Sequence, residues 1–157
     1  MKKLFLILAM MSMGVLAQAQ SKSVAALYEK YKGDDEFFHL DLAGSFFDFA
    51  DGFNIDLDDE GMEAIAKSVE RMKLFKLPVS GDAAKADFKV LQKSLKKEKY
   101  DVLMEMSEKD SEIVFYSKGG DTISDLVLMI GGNGDDSHIV IELEGAFESK
   151  KLAKAFP

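Results

Sequence analysis

Between Tyr100 and Glu144 the sequence changes to a period of two over four runs, Tyr100–Ser107, Glu112–Lys118, Thr122–Ile130 and His138–Glu144. A period of two is the mark of strands. The runs are joined by Lys109-Asp110, by Gly119-Gly120-Asp121 and by Gly131 to Asp136. Parallel pairing needs a crossover of a dozen residues or more, so connections this short force an antiparallel meander. Upstream the period is mostly that of a helix. Val24, Leu27, Tyr28 and Tyr31 make one stripe of a helix over 21–32, and Ala84, Phe88, Leu91 and Leu95 the stripe of a longer one over 82–97. Between them come a strand over 36–42, two helices starting near Ser45 and near Asp58 or Asp59, and a strand over 71–77 stopped at Pro78. In the strand over 36–42, Phe38, Leu40 and Leu42 share one face, and His39 and Asp41 the other. Ser149 caps a last short helix. The reading is an α+β fold, a mostly antiparallel sheet with a C-terminal four-strand meander and helices packed on it.

The meander is apolar on both sides. Val102, Met104, Ile113, Phe115, Leu126, Leu128, Ile139 and Ile141 form one alternating set; Leu103, Val114, Tyr116, Val127, Met129 and Val140 form the other. A sheet with one wet face is polar on one set. The second set is therefore expected to be covered, by the chain's own helices or by a partner, and is taken as a contact surface for self-association or for an envelope protein.

The first residues carry a separate message. Lys2 and Lys3 precede an uncharged run from Leu4 to Leu16, and Ala17-Gln18-Ala19 follows, with small residues at both positions of an A-x-A cleavage site. This is the order of a secretory signal peptide, and the run is too short to span a membrane as a helix. Residues 1–19 are read as the signal and 20–157 as a single α+β domain, exported to the periplasm or secreted. With no cysteine in the chain, a lipid anchor, disulfides and thiolate chemistry drop out of the expectation. The net charge of −8 becomes two units more negative without Lys2 and Lys3, which sets the domain against nucleic acid and anionic lipid.

Leu27-Tyr28-Glu29-Lys30-Tyr31, Tyr100-Asp101-Val102-Leu103-Met104-Glu105, Ile123-Ser124-Asp125-Leu126-Val127-Leu128 with its Gly-rich turn, and the strand Ile139 to Gly145 ending in Glu-Gly stand in the same order as in a family of exported proteins. On these stretches the chain resembles domain of unknown function 4252, a family of Bacteroidetes. The resemblance implies an exported single domain and supplies no activity.

Motifs with chemistry are few. Asp56, Asp58, Glu60 and Gly61 mimic the start of an EF-hand loop, but Lys67 stands where a bidentate glutamate is needed. Gly131 to Asp136 matches one copy of a calcium β-roll repeat, which works only in stacks. Both are read as an acidic helix start and a turn. The two histidines, His39 and His138, lie on predicted strands. If those strands were neighbours, Asp41, Glu142 and Glu144 would join them in a metal site serving a small hydrolase. There is no G-x-S-x-G elbow, P-loop or G-x-G-x-x-G turn. Lys85, Lys89, Lys93 and Lys96 form a basic stripe, read as a solvated helix face. No residue is given a catalytic role, no metal or cofactor is expected, and the first reading is a binding or assembly module.

Overall fold

The computed structural model describes residues 20–44, 65–132 and 137–155. Their elements are α1 (Lys22–Tyr31), β1 (Phe38–Ala43), β2 (Val69–Lys76), α2 (Gly81–Lys97), β3 (Asp101–Ser107), β4 (Ser111–Gly119), β5 (Thr122–Gly132), β6 (Ile139–Glu148) and α3 (Ser149–Ala155). A helical segment at 65–68 leads into β2. The helices expected from Ser45 and from Asp58 lie outside the described residues, apart from that last turn. So do Asp56, Asp58, Glu60 and Gly61, and Asn133 to Asp136 of the glycine turn. β2 opens at Val69, two residues before the strand expected over 71–77.

The six strands form one sheet in the order β1-β2-β6-β5-β4-β3, antiparallel at every pairing. The C-terminal meander is present as β3 to β6. Its last strand then pairs with β2, and this joins the two halves of the chain in one sheet. The closeness of that joint shows at Gly145, opposite Val69. A Cβ at Gly145 would run into the Ser68 carbonyl, so the glycine of the Glu-Gly strand end is required by backbone packing.

The helices α1 and α2 lie on one face, called inner here. Val24, Leu27, Ala84, Phe88, Leu91 and Leu95 are buried there with Phe75, Val114, Tyr116, Val127, Met129 and Val140 of the sheet. This placement corrects the sequence reading of the second set. Five of its six residues, Val114, Tyr116, Val127, Met129 and Val140, are core beneath the chain's own helices. They are therefore not a contact surface. Leu103 is the exception, at 38% exposed. The pairing skips it between Val102 and Met104, making it the extra residue of a bulge on the edge strand β3. Bulges there break alternation and discourage edge-to-edge pairing.

The outer face is the one the first set occupies, apart from Val102, which precedes the bulge and stands opposite Tyr116 of the inner face. One complete row across the sheet, Leu40, Leu74, Ile141, Leu128, Phe115 and Met104, is apolar in all six strands, and each of these residues is half-buried. The next row holds Phe38, Ile139, Ile130, Ile113 and Met106 beside Lys76, with Phe38 and Met106 about half exposed, at 58% and 48%. A second cluster closes one end of this face. There Ile65, Val69, Leu152 of α3 and Phe147 pack with Ile123 and Leu126, and Met72 and Leu143 lie against them. Among the described residues no helix is long and apolar enough to cross a membrane.

Candidate functional site: a buried carboxylate pair

The inner face changes character along the strands. Directly opposed residues of antiparallel strands point to the same side. One row there reads His39, Phe75, Val140, Met129, Val114; the next Asp41, Lys73, Glu142, Val127, Tyr116; the next Ala43, Arg71, Glu144, Asp125, Lys118. Four residues along, an apolar core has become a layer of charge.

Two of those charges are sealed from solvent. Asp125 is 0% and Glu142 1% exposed. The hydroxyl of Tyr100 donates a short hydrogen bond to Asp125 Oδ2. Tyr100 reaches it because α2 ends in a Schellman motif: Lys99 takes a left-handed φ of 67°, Tyr100 N–H donates to Leu95 O at 3.0 Å and Lys99 N–H to Lys96 O at 3.2 Å. The backbone N–H of Ser21 donates to Glu142 Oε1 at 2.9 Å. Ser21 is itself wholly buried and is the N-cap of α1, its Oγ accepting from Val24 N–H at 3.1 Å. Glu98, at the end of α2, takes the other free donors of that helix: Ser23 N–H at 2.8 Å, Lys22 N–H at 3.2 Å and the Ser21 hydroxyl at 3.0 Å. A carboxylate at a helix N-terminus meets both the open N–H groups and the positive end of the helix dipole.

Burial, and then the charge of Glu142, push the Asp125 carboxyl up to about 8. Burial is also the largest influence on Glu142, pushing it up to about 7, against the Ser21 N–H and Lys73, which favour its charged form. Two like charges sharing a dry site cannot both ionise at ordinary cost, so the pair holds one proton between them through neutral pH. Asp125 Oδ1 has no hydrogen-bond partner among the protein's fixed donors. Burial and then Asp125 raise the Tyr100 hydroxyl well above its ordinary value, which keeps it a donor. Lys118 stands beside the pair, its Nζ 5.4 Å from the Tyr100 ring centre. Asp125 and Glu142 face the interior of the domain. The arrangement binds charge inside the fold.

The sequence reading missed this pair. Tyr100, Asp125 and Glu142 each come from a stretch that carries the family resemblance, stretches read there as packing. The signal was present: Asp125 and Glu142 continue the alternation of Val127-Met129 and of Val140, acids on the buried register. Asp41, Glu142 and Glu144 do share one face, as expected, but the two histidines do not complete a metal site with them. β2 separates β1 from β6, so two strand spacings, about 9.5 Å, lie between His39 and the strand that follows His138. Metal ligands need to lie about 2 Å from a common ion. His39 instead packs against Tyr28 and Phe37, with ring centres at 5.4 and 5.7 Å. His138 is buried edge-on to Phe88 at 4.7 Å, at the wall of a 330 Å³ cleft that Lys85, Lys89, Gln92 and Glu112 also line. Among the described residues no group of three or more histidines and acids is placed to hold a metal ion.

These features define a class: an antiparallel α+β domain with two helices over one sheet face, an acid pair sealed beneath them and a second apolar face. The chain belongs to the family described as domain of unknown function 4252, whose pattern matches residues 31–155. No curated protein and no solved structure matches it.

Proposed function

We propose that this chain is an exported, non-enzymatic binding or assembly module of the cell envelope, and that it binds through the outer face of its sheet. The observation that carries this reading is the unbroken apolar row Leu40, Leu74, Ile141, Leu128, Phe115 and Met104, flanked by exposed Phe38 and Met106. Contiguous apolar surface of this kind marks protein contact. Export is supported by where the fold begins. Ser21, two residues past Ala19, is the N-cap of the first described helix, so the A-x-A site of residues 17–19 falls just ahead of that element. The test is site-specific cross-linking in the native envelope. A photoreactive group at Ile141 is expected to give one discrete adduct, with a second copy or with another envelope protein, and the same group at Lys93 on α2 none. Equal adducts from both positions, or none from either, would overturn the reading.

A further inference from the structure

The acid pair lies next to the place where the signal is cut. Ser21 donates its N–H to Glu142 Oε1 at 2.9 Å, and Gln20 is the residue before it. One residue spans at most about 3.3–3.6 Å, so the Gln20 nitrogen lies within about 6.5 Å of that carboxylate. In an uncut chain this nitrogen is a neutral amide. Cleavage after Ala19 turns it into an α-ammonium. We propose that the Asp125–Glu142 pair is the built seat for the α-ammonium of Gln20, so that removal of residues 1–19 supplies the charge the folded domain lacks. This inference rests on the export reading.

Three observations point the same way. The pair is sealed and acidic, with Asp125 Oδ1 left without a donor. Among the described residues, its main-chain donor is the residue that would follow the new terminus. The remaining donors at the start of α1 are already taken by Glu98, which leaves Glu142 and Asp125 to the terminus itself. The groups facing the pair are Tyr100, Glu98 at the end of α2, Lys73 and Arg71 of β2, Glu144 of β6 and Lys118 of β4. Of the three cations, Lys73 stands opposite Glu142, Lys118 opposite Asp125 and Arg71 opposite Glu144. Among the described residues the direct hydrogen bonds to the pair come from Tyr100 and Ser21, and neither donor carries a full positive charge.

The sign is fixed by the two kinds of group. Without the ammonium, acids with raised folded values favour the fold at low pH and lose that contribution as pH rises through about 7 to 8. An ammonium held by the pair has its own value raised above the ordinary 7.7–8.0 or so, and its contribution persists until pH passes that raised value. A chain beginning at Gln20 and the same chain acetylated at Gln20 are therefore expected to melt together near pH 5. They should separate by several degrees near pH 8, the acetylated chain lower, and converge again at higher pH once the amine is neutral. In the Asp125→Asn, Glu142→Gln double variant the two forms should melt alike at every pH. Equal melting of the wild-type forms across the range would overturn the proposal. So would a mass lower by one ammonia in the native protein, the mark of a cyclised Gln20 with no ammonium to seat. Intact mass of the native protein retaining residues 1–19 would instead overturn the export reading on which it stands, a separate outcome read from a separate measurement.

Discussion

Val127 and Leu128 are successive residues of β5, close in size and equally apolar, and they sit in opposite circumstances. Val127 is fully buried in the cluster with Val24, Leu27, Leu91 and Leu95, while Leu128 stands half-buried in the outer row. Alternation along a strand sorts residues into two sets with certainty, because the side-chain period is two. It does not say which set the helices cover. Here the set with fewer members lies under α1 and α2, and the set rich in Ile, Leu and Met is turned away from them. Both faces need an explanation, and the two explanations differ: one face is the core beneath α1 and α2, while over the central row of the other no helix lies among the described residues.

The largest effect tests that contrast directly. Val127→Lys buries a charge in the packed centre of the inner face and is expected to cost roughly 4 kcal/mol or more, a large share of the 5–15 kcal/mol or so that holds a domain together. Leu128→Lys, one residue away, is expected to cost no more than about 1 kcal/mol, since a lysine there lays its stem on the sheet and its ammonium in water. Urea unfolding of the two variants measures both. If Leu128→Lys shifted the midpoint as far as Val127→Lys, the outer face would be internal core and the binding reading would fall.

The second contrast lies within the inner face, between its apolar rows and its charged one. In a chain that retains residues before Gln20, Asp125 and Glu142 favour folding below the ordinary carboxylate range, and this is lost as pH rises through about 7 to 8. Stability is expected to fall by on the order of a few kcal/mol between pH 5 and 8 in that form. Asp125→Asn removes one of the two acids and flattens the fall, leaving the part that the burial of Glu142 supplies. Chemical denaturation across this range is the check, and an unchanged slope would show that the two carboxyls do not share a proton.

Much of this was legible in the residues. The helical stripes at Val24 to Tyr31 and Ala84 to Leu95, the short turns of the meander and the stop at Pro78 placed the described elements within a few residues. Two things were not legible. Strand order is set by pairings distant in sequence: β2 meets β6 across α2 and the whole meander, and no local pattern records that. For the same reason the sequence left open whether the strands of His39 and His138 were neighbours. The acid pair was half visible. An aspartate among Ile123, Val127 and Met129 breaks an apolar register, but only the fold shows that Glu142 breaks the neighbouring strand's register beside it and that α1 begins over both.

The smallest effect comes from the same charged row where it opens to water. Arg71 grips Asp41 with two hydrogen bonds, Nε to Oδ1 at 3.0 Å and a terminal guanidinium nitrogen to Oδ2 at 2.7 Å. Arg71 is the main cause holding the Asp41 carboxyl below its usual range. The geometry is as good as an ion pair offers, yet the two side chains are 39% and 35% exposed, so water and salt screen what they gain. Arg71→Ala is expected to cost less than about 1 kcal/mol at neutral pH. A carboxylate with a lowered folded value contributes above its unfolded value of about 3.9 and loses that contribution as pH falls through the lower folded one. The difference between Arg71→Ala and the parent should therefore shrink towards zero below about pH 3, and also in molar salt. Asp125 and Glu142 carry charge of the same sign on the same face, two strands in from the edge, and their dependence runs the other way with pH. Burial is the variable that separates the two pairs. A cost at Arg71 as large as that at the sealed pair, insensitive to salt, would show that the whole charged row is dry, with the rim at Asp41 closed over like its centre.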